Sequence, residues 1–282
     1  MIVHDVSSTD APHIRIKPVE GWSGFGLKDL WDYRELLYFL TWRDVKVRYK
    51  QTAIGAAWAV VQPFMTMVVF TMIFGYLAGM SSEGQPYPLF SFAALMPWTY
   101  FSKSLSQSVT SVVGNAHLIT KVYFPRLLLP ISAVASGLID FAISFVFFLG
   151  MMAWYGTMPT WRMLLAPVFL LLTILTALAV SFWLSAINVR YRDVGQAIPF
   201  LIHLWLYASP VAYSLRELPE KWQLLLAFNP MTGVIEGFRW ALLGNTAPDV
   251  RSMSVSAAVV LALLFSGVVF FRRIEATFAD VV

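Results

Sequence analysis

The chain has no cysteine. That excludes a disulfide framework, a thiol nucleophile and any thiolate metal site. Histidine is sparse, and His4, His13, His117 and His203 show no metal-ligand spacing. Charge is the next deficit: Asp, Glu, Lys and Arg make up 13% of 282 residues, against 58% hydrophobic. A soluble domain of this length is not so apolar. Gly-x-Ser-x-Gly, His-Glu-x-x-His and Gly-x-x-x-x-Gly-Lys-Ser/Thr do not occur, so neither a catalytic set nor a phosphate loop emerges. If the chain moves something uphill by nucleotide hydrolysis, another chain holds the nucleotide, with its ATP and Mg. Residues 1–28 carry no apolar signal-peptide core and read as a cytoplasmic tail. The net charge of +4 belongs to loops rather than to a nucleic-acid surface.

What is present is a series of long apolar runs. The basic stretch Arg43–Gln51 gives way abruptly to Ile54–Leu77, which holds no charge over 24 residues. At about 1.5 Å per residue this crosses a ~30 Å hydrocarbon core. Cations before a first span hold that end in the cytoplasm. Six transmembrane helices are expected, at about 54–77, 89–113, 127–154, 163–187, 197–213 and 254–271. Between the last two, 218–244 is apolar but interrupted by Asn229, Pro230 and Gly233. Two short re-entrant helices fit that segment better than a seventh crossing. Fourteen of the 20 Lys and Arg residues then fall on the cytoplasmic side, with both termini inside. Ahead of the first span, Asp29–Thr41 places Leu30, Tyr33, Leu37 and Leu40 on one helical face. This amphipathic helix suits the cytoplasmic interface with its apolar side in lipid, or packing on a partner subunit. The fold class expected is an all-α polytopic membrane protein.

Two ionisable residues sit deep in the expected spans. Lys103 and Asp140 fall on neighbouring, oppositely directed helices, each some 16–20 Å from the cytoplasmic end at about 1.5 Å per residue. Leaving either unpaired costs at least ~2.5–3.5 kcal/mol. They read either as the polar lining of a conduit or as a structural pair between helices. Serines 102, 104, 106, 108 and 111 admit the same two readings. Trp and Tyr at span ends form interfacial belts, or line a path for sugar rings. Two cytoplasmic loops are too apolar or too compact for plain solvated turns. One is Gly114–Arg126, with His117, Lys121, Tyr123 and Arg126; the other is Asn188–Gln196, with Arg190, Tyr191, Arg192 and Asp193. Aromatics amid Arg suit a protein–protein contact, or else ordinary positive-inside flanking.

The motif Arg43-Asp44-Val45-Lys46-Val47-Arg48-Tyr49-Lys50-Gln51-Thr52, leading to Gly55, Trp58 and Gln62-Pro63, resembles the start of the first span in permeases of ABC-type polysaccharide exporters. Lys121–Arg126, Asn188–Val194 and Asn229–Arg239 resemble the same family in the same order, so the likeness covers about 29–272. Residues 29–282 are then one ABC-exporter transmembrane domain. The resemblance implies a homodimer of six-span subunits in the bacterial cytoplasmic (inner) membrane, each bound to a separate ABC ATPase subunit. The implied cargo is a lipid-linked polysaccharide, O-antigen foremost. His117, Lys121, Tyr123, Arg126, Arg190, Tyr191, Arg192 and Asp193 would couple to the ATPase. Arg43, Arg48, Tyr49 and Lys50 would border the cytoplasmic substrate entrance, meeting a lipid pyrophosphate or acidic membrane lipids. Asn229, Pro230, Glu236 and Arg239 would belong to the re-entrant region near the external exit. The alternatives are an ABC permease for a non-sugar lipid or drug, and a stand-alone channel or secondary carrier.

Overall fold

A computed structural model describes residues 27–50, 55–244 and 247–278, and every regular element among them is a helix. Most of the expected tail, residues 51–53 and the first residue of the first expected span, Ile54, lie outside the described residues. A short α1 (Leu27–Asp32) breaks at Tyr33 and leads into α2 (Arg34–Tyr49), which runs on into the basic stretch as far as Tyr49 rather than stopping at Thr41. Its expected apolar face is covered by protein. Leu40 and Val45 are buried, and Leu30, Tyr33, Leu36 and Leu37 pack against a cluster containing Leu128, Val189 and Phe271. The cause is spacing: Leu37, Leu40, Asp44 and Arg48 fall on one face of α2, so polar anchors extend the apolar stripe. Asp44 accepts from the Ser132 hydroxyl at 3.3 Å, and Arg48 reaches further along the same neighbouring helix. Trp31, Tyr38, Phe39 and Trp42 are exposed instead.

Four helical stretches among the described residues are long and apolar enough to cross a membrane: Trp58–Leu77, Leu128–Trp154, Trp161–Arg190 and Val250–Glu275. The first is α3 (Trp58–Phe70), continued by a π-helical segment to Leu77. The others contain α6 (Leu128–Trp154), α7 (Ala166–Arg190) and α11 (Val250–Glu275). The second expected span is α4 (Tyr87–Gly114), 28 residues long, whose Lys103 and serines lower its hydropathy. It is nonetheless the central helix, packed on α6, α7 and α10 (Pro230–Leu243), and every residue from Leu89 to Trp98 is buried. A helix apolar all round belongs in the middle of a bundle.

The fifth expected span, 197–213, is shorter than its apolar run. Helix α8 (Asp193–Tyr207) stops at Tyr207, and its 15 residues reach about 22 Å, short of a ~30 Å core. Then come α9 (Glu220–Ala227) and α10, the two short helices expected between 218 and 244. Sequence punctuation bounds α10. The Asn229 side chain caps it by accepting from Met231 N, Pro230 occupies its first position, and Gly244 ends it in the left-handed conformation at φ 70°. Helix α10 lies so close to α7 that a Cβ on Gly237 would meet the Phe169 ring at 2.2 Å.

Candidate functional site

The residues singled out from the sequence gather at two ends and one interior point of the bundle. The interior point is Asp140, midway along α6. Arg48 Nη1 lies 2.9 Å from Asp140 Oδ2, with the two side chains 19% and 11% exposed. The same guanidinium donates to Ser136 Oγ at 2.9 Å and to the Gln107 side-chain oxygen, while the Tyr49 hydroxyl donates to Asp140 Oδ1. Two residues expected at an open entrance, Arg48 and Tyr49, are thus turned inward onto the expected intramembrane acid. A carboxylate placed mid-helix in an apolar span needs such a partner. Lys103 is half-buried and feels the Asp140 charge, but it is not within ion-pair distance of that carboxylate. Arg43, by contrast, is exposed and pairs with Asp44 at 2.8 Å, and Lys50 is exposed. Gln107 and Ser136 were not singled out. Gln107 follows Lys103 by one helical turn, a spacing that puts both on one face of α4.

Both expected coupling loops lie at one end of the molecule. The first contains α5 (Ala116–Ile119) and leads to α6; the second joins α7 to α8. Asn188 ties the second to the last turns of α4: its amide donates to Val109 O at 3.0 Å and its oxygen accepts from Gly195 N at 2.8 Å. His117, Lys121, Tyr123, Arg190, Tyr191, Arg192 and Asp193 are all exposed there. Tyr123 at 61% and Tyr191 at 59% are aromatic rings left uncovered on a polar surface, an arrangement that suits contact with a protein partner. Arg126 differs. Its backbone N–H donates to Glu275 Oε1 at 2.7 Å and its guanidinium to the Glu275 carbonyl, so it pins the loop to the end of α11. Nothing in the pattern around Arg126 pointed to Glu275, a partner 149 residues away.

At the far end of α11, about 39 Å along a 26-residue helix, Asn229 and Arg239 grip the chain that follows α8. Arg239 is 2% exposed. It donates to the carbonyls of Pro210 and Val211 at 2.7 Å each, of Tyr213 at 3.1 Å and of Phe90 at 3.3 Å. It also pairs with Glu236 at 3.4 Å and stacks 3.5 Å from the Phe90 ring centroid. Asn229 donates to Ala208 O at 3.0 Å and accepts from Trp205 Nε1 at 2.9 Å. Carbonyls of 208–213 that a longer α8 would have paired internally are therefore satisfied by side chains of α10 and its cap. That is why the fifth apolar run ends early as a helix. No group of three or more acidic or histidine side chains able to hold a metal occurs among the described residues.

Residues 35–243 match the sequence profile of the family described as ABC-2 type transporter. The chain is 32% identical over 256 residues to the O-antigen export system permease protein RfbA of Myxococcus xanthus, covering 90% of this chain and 98% of that protein. It is 27% identical to a protein of the same name from Klebsiella pneumoniae, over 88% of this chain and 95% of that one. A third relative, the polysialic acid transport protein KpsM of Escherichia coli, is 22% identical over 83% of this chain and 91% of its own length. The profile spans α2 through α10, and with it the Asp140 cluster, both exposed loops and the Arg239 clamp. The chain belongs to the ABC-2 type transporter family.

Proposed function

We propose that the chain is the permease subunit of an ATP-driven exporter that carries lipid-linked polysaccharide, O-antigen foremost, across the bacterial inner membrane. The single observation that carries this reading is the 32% identity to an O-antigen export permease over 98% of that protein's length. Two copies form the conduit, and each binds a separate ATPase subunit. In this reading α4 makes a fifth crossing and α8, extended by the chain 208–213 after it, a sixth; α9 and α10 re-enter from the outer face, and both termini face the cytoplasm. Ser91, Ser104 and Ser108 of α4 are tolerable in such a crossing because neighbouring helices enclose them.

The two loops at the Arg126 end meet the ATPase. When ATP draws the ATPase subunits together, Tyr123, Tyr191, Arg192 and Asp193 receive the movement. The tie between Arg126 and Glu275 passes it to α11, whose other end touches α9 and α10. Arg43 and Lys50 remain exposed beside the inward-turned Arg48 and supply cations at the lip for a lipid pyrophosphate. The test is genetic: deleting the gene should abolish surface polysaccharide, and supplying the chain should restore it. Unchanged surface polysaccharide in the deletion strain would refute the cargo assignment.

A further inference from the structure

A segment that follows the last helix of a bundle stays loose unless something ties it down. After α11 the chain turns back on itself. The Thr277 N–H and hydroxyl both donate to the Ile274 carbonyl, at 2.9 and 2.8 Å, and close the turn. Phe278 is thereby carried into the bundle, where it is fully buried. Its ring meets Phe271 edge-to-face with centroids 5.2 Å apart, and Phe271 meets Phe182 of α7 at 6.0 Å.

The cluster that receives Phe278 is distinct from the main core and lies at the end carrying both exposed loops. Ile119 and Phe124 enter it from the first loop, Val189 from the start of the second, and Leu40 from α2. Just before Phe278, Glu275 holds Arg126 of the first loop. Close-packed side chains shift together rather than deform, so a push on one member reaches the others while the packing is continuous. The tie from Arg126 to Glu275 takes such a push to α11, but only the apolar cluster takes it on to Leu40. We propose that Phe278 is a positioning residue of the export cycle: it keeps this cluster packed, so that movement of the Gly114–Arg126 loop reaches α2 beside the cytoplasmic entrance. The assignment rests on the exporter reading above, in which that loop meets the ATPase.

Pulsed EPR on the complete complex with its ATPase subunit tests it, and the lack of cysteine permits site-directed labelling. Labels at Tyr123→Cys on the loop or Tyr38→Cys on α2 are each measured against Trp154→Cys at the opposite end of α6; all three positions are exposed. Labelled chains are diluted with unlabelled ones so that only distances within one chain are read. In the otherwise wild-type chain, ATP with vanadate should shift both distances. In Phe278→Ala the loop distance should still shift while the α2 distance stays at rest, and polysaccharide exported per ATP should fall about fivefold. Phe278→Leu should recover both, because it refills most of the vacated volume. Phe148→Ala removes an equally buried ring, stacked on Phe92 in the main core; it should lower Tm and leave export per ATP unchanged. The role is overturned, with the exporter reading left standing, if the wild-type loop label shifts without the α2 label. Normal α2 movement in Phe278→Ala, or an equal loss of export per ATP in Phe148→Ala, has the same consequence. A wild-type loop label that ignores ATP removes both the role and the reading it rests on.

Discussion

Arg48, in the last turn of α2, forms a 2.9 Å ion pair with Asp140, 92 residues later and midway along α6. The pair fastens the amphipathic N-terminal helix to the transmembrane body, with Tyr49, Gln107 and Ser136 completing the shell. Removing one partner strands the other in a largely enclosed site. Arg48→Met and Asp140→Leu should each cost about 2 kcal/mol, and the double variant about 1–3 kcal/mol less than their sum. Denaturant midpoints for the four proteins measure this coupling. Strict additivity would show that the pair contributes nothing.

The Arg239 clamp is a stronger case. Five acceptors depend on one guanidinium, four of them backbone carbonyls. Arg239→Met should destabilise by about 3–5 kcal/mol and sharply reduce the amount of chain in membranes. Arg239→Lys should not rescue it, because an ammonium has three donors and no planar fork. Membrane quantification with a Tm series separates these outcomes.

The exposed loop residues should behave in the opposite way. Arg192→Ala and Asp193→Ala remove no buried contact, so stability should stay within about 0.5 kcal/mol of wild type. Transport-coupled ATP hydrolysis should fall. Arg126→Ala should lower both coupling and Tm, since its guanidinium holds the Glu275 carbonyl. Hydrolysis and Tm measured on the same reconstituted samples distinguish the two classes.

At Gly237 the Phe169 ring leaves no room for a methyl group, at 2.2 Å from an added Cβ. Gly237→Ala should force α10 away from α7 at a cost of about 1–3 kcal/mol. Phe169→Ala in the same chain should relieve part of that strain, as read from Tm.

Asp249 supplies a pH dependence. Backbone and hydroxyl hydrogen bonds from Ser252, then the Arg251 N–H, hold its carboxyl below the usual range. A depressed folded-state pKa stabilises above the unfolded value of about 3.9 and loses that effect as pH falls through the folded value. The Tm gap between wild type and Asp249→Ala should thus be constant near neutrality and close only in acid. A gap that widens in acid would contradict the cap.

Much of this was legible from local pattern. Apolar runs located the four span-competent helices, and Asn229 and Pro230 marked the start of α10, whereas Gly233, expected as a third interruption, lies inside that helix where it packs against Ser256 of α11. The tyrosines of the two loops stood out as aromatic rings set among charged residues, and both are exposed. What stayed hidden depends on residues far apart in sequence. The basic run 43–49 reads as a flank until Asp140 is seen to accept from Arg48, and Asp44 from the Ser132 hydroxyl, both partners lying on α6. The end of α8 at Tyr207 depends on Asn229 and on Arg239, whose acceptors at Pro210, Val211 and Tyr213 lie 26–29 residues earlier. Composition places a charge in the membrane but does not say which distant partner meets it.

The most direct measurement is translocation in liposomes holding the purified chain, with and without its separate ATPase subunit. Lipid-linked polysaccharide crossing only when that subunit and hydrolysable ATP are both present is the expected result. Crossing driven by the chain alone would contradict a permease whose energy comes from a separate ATPase.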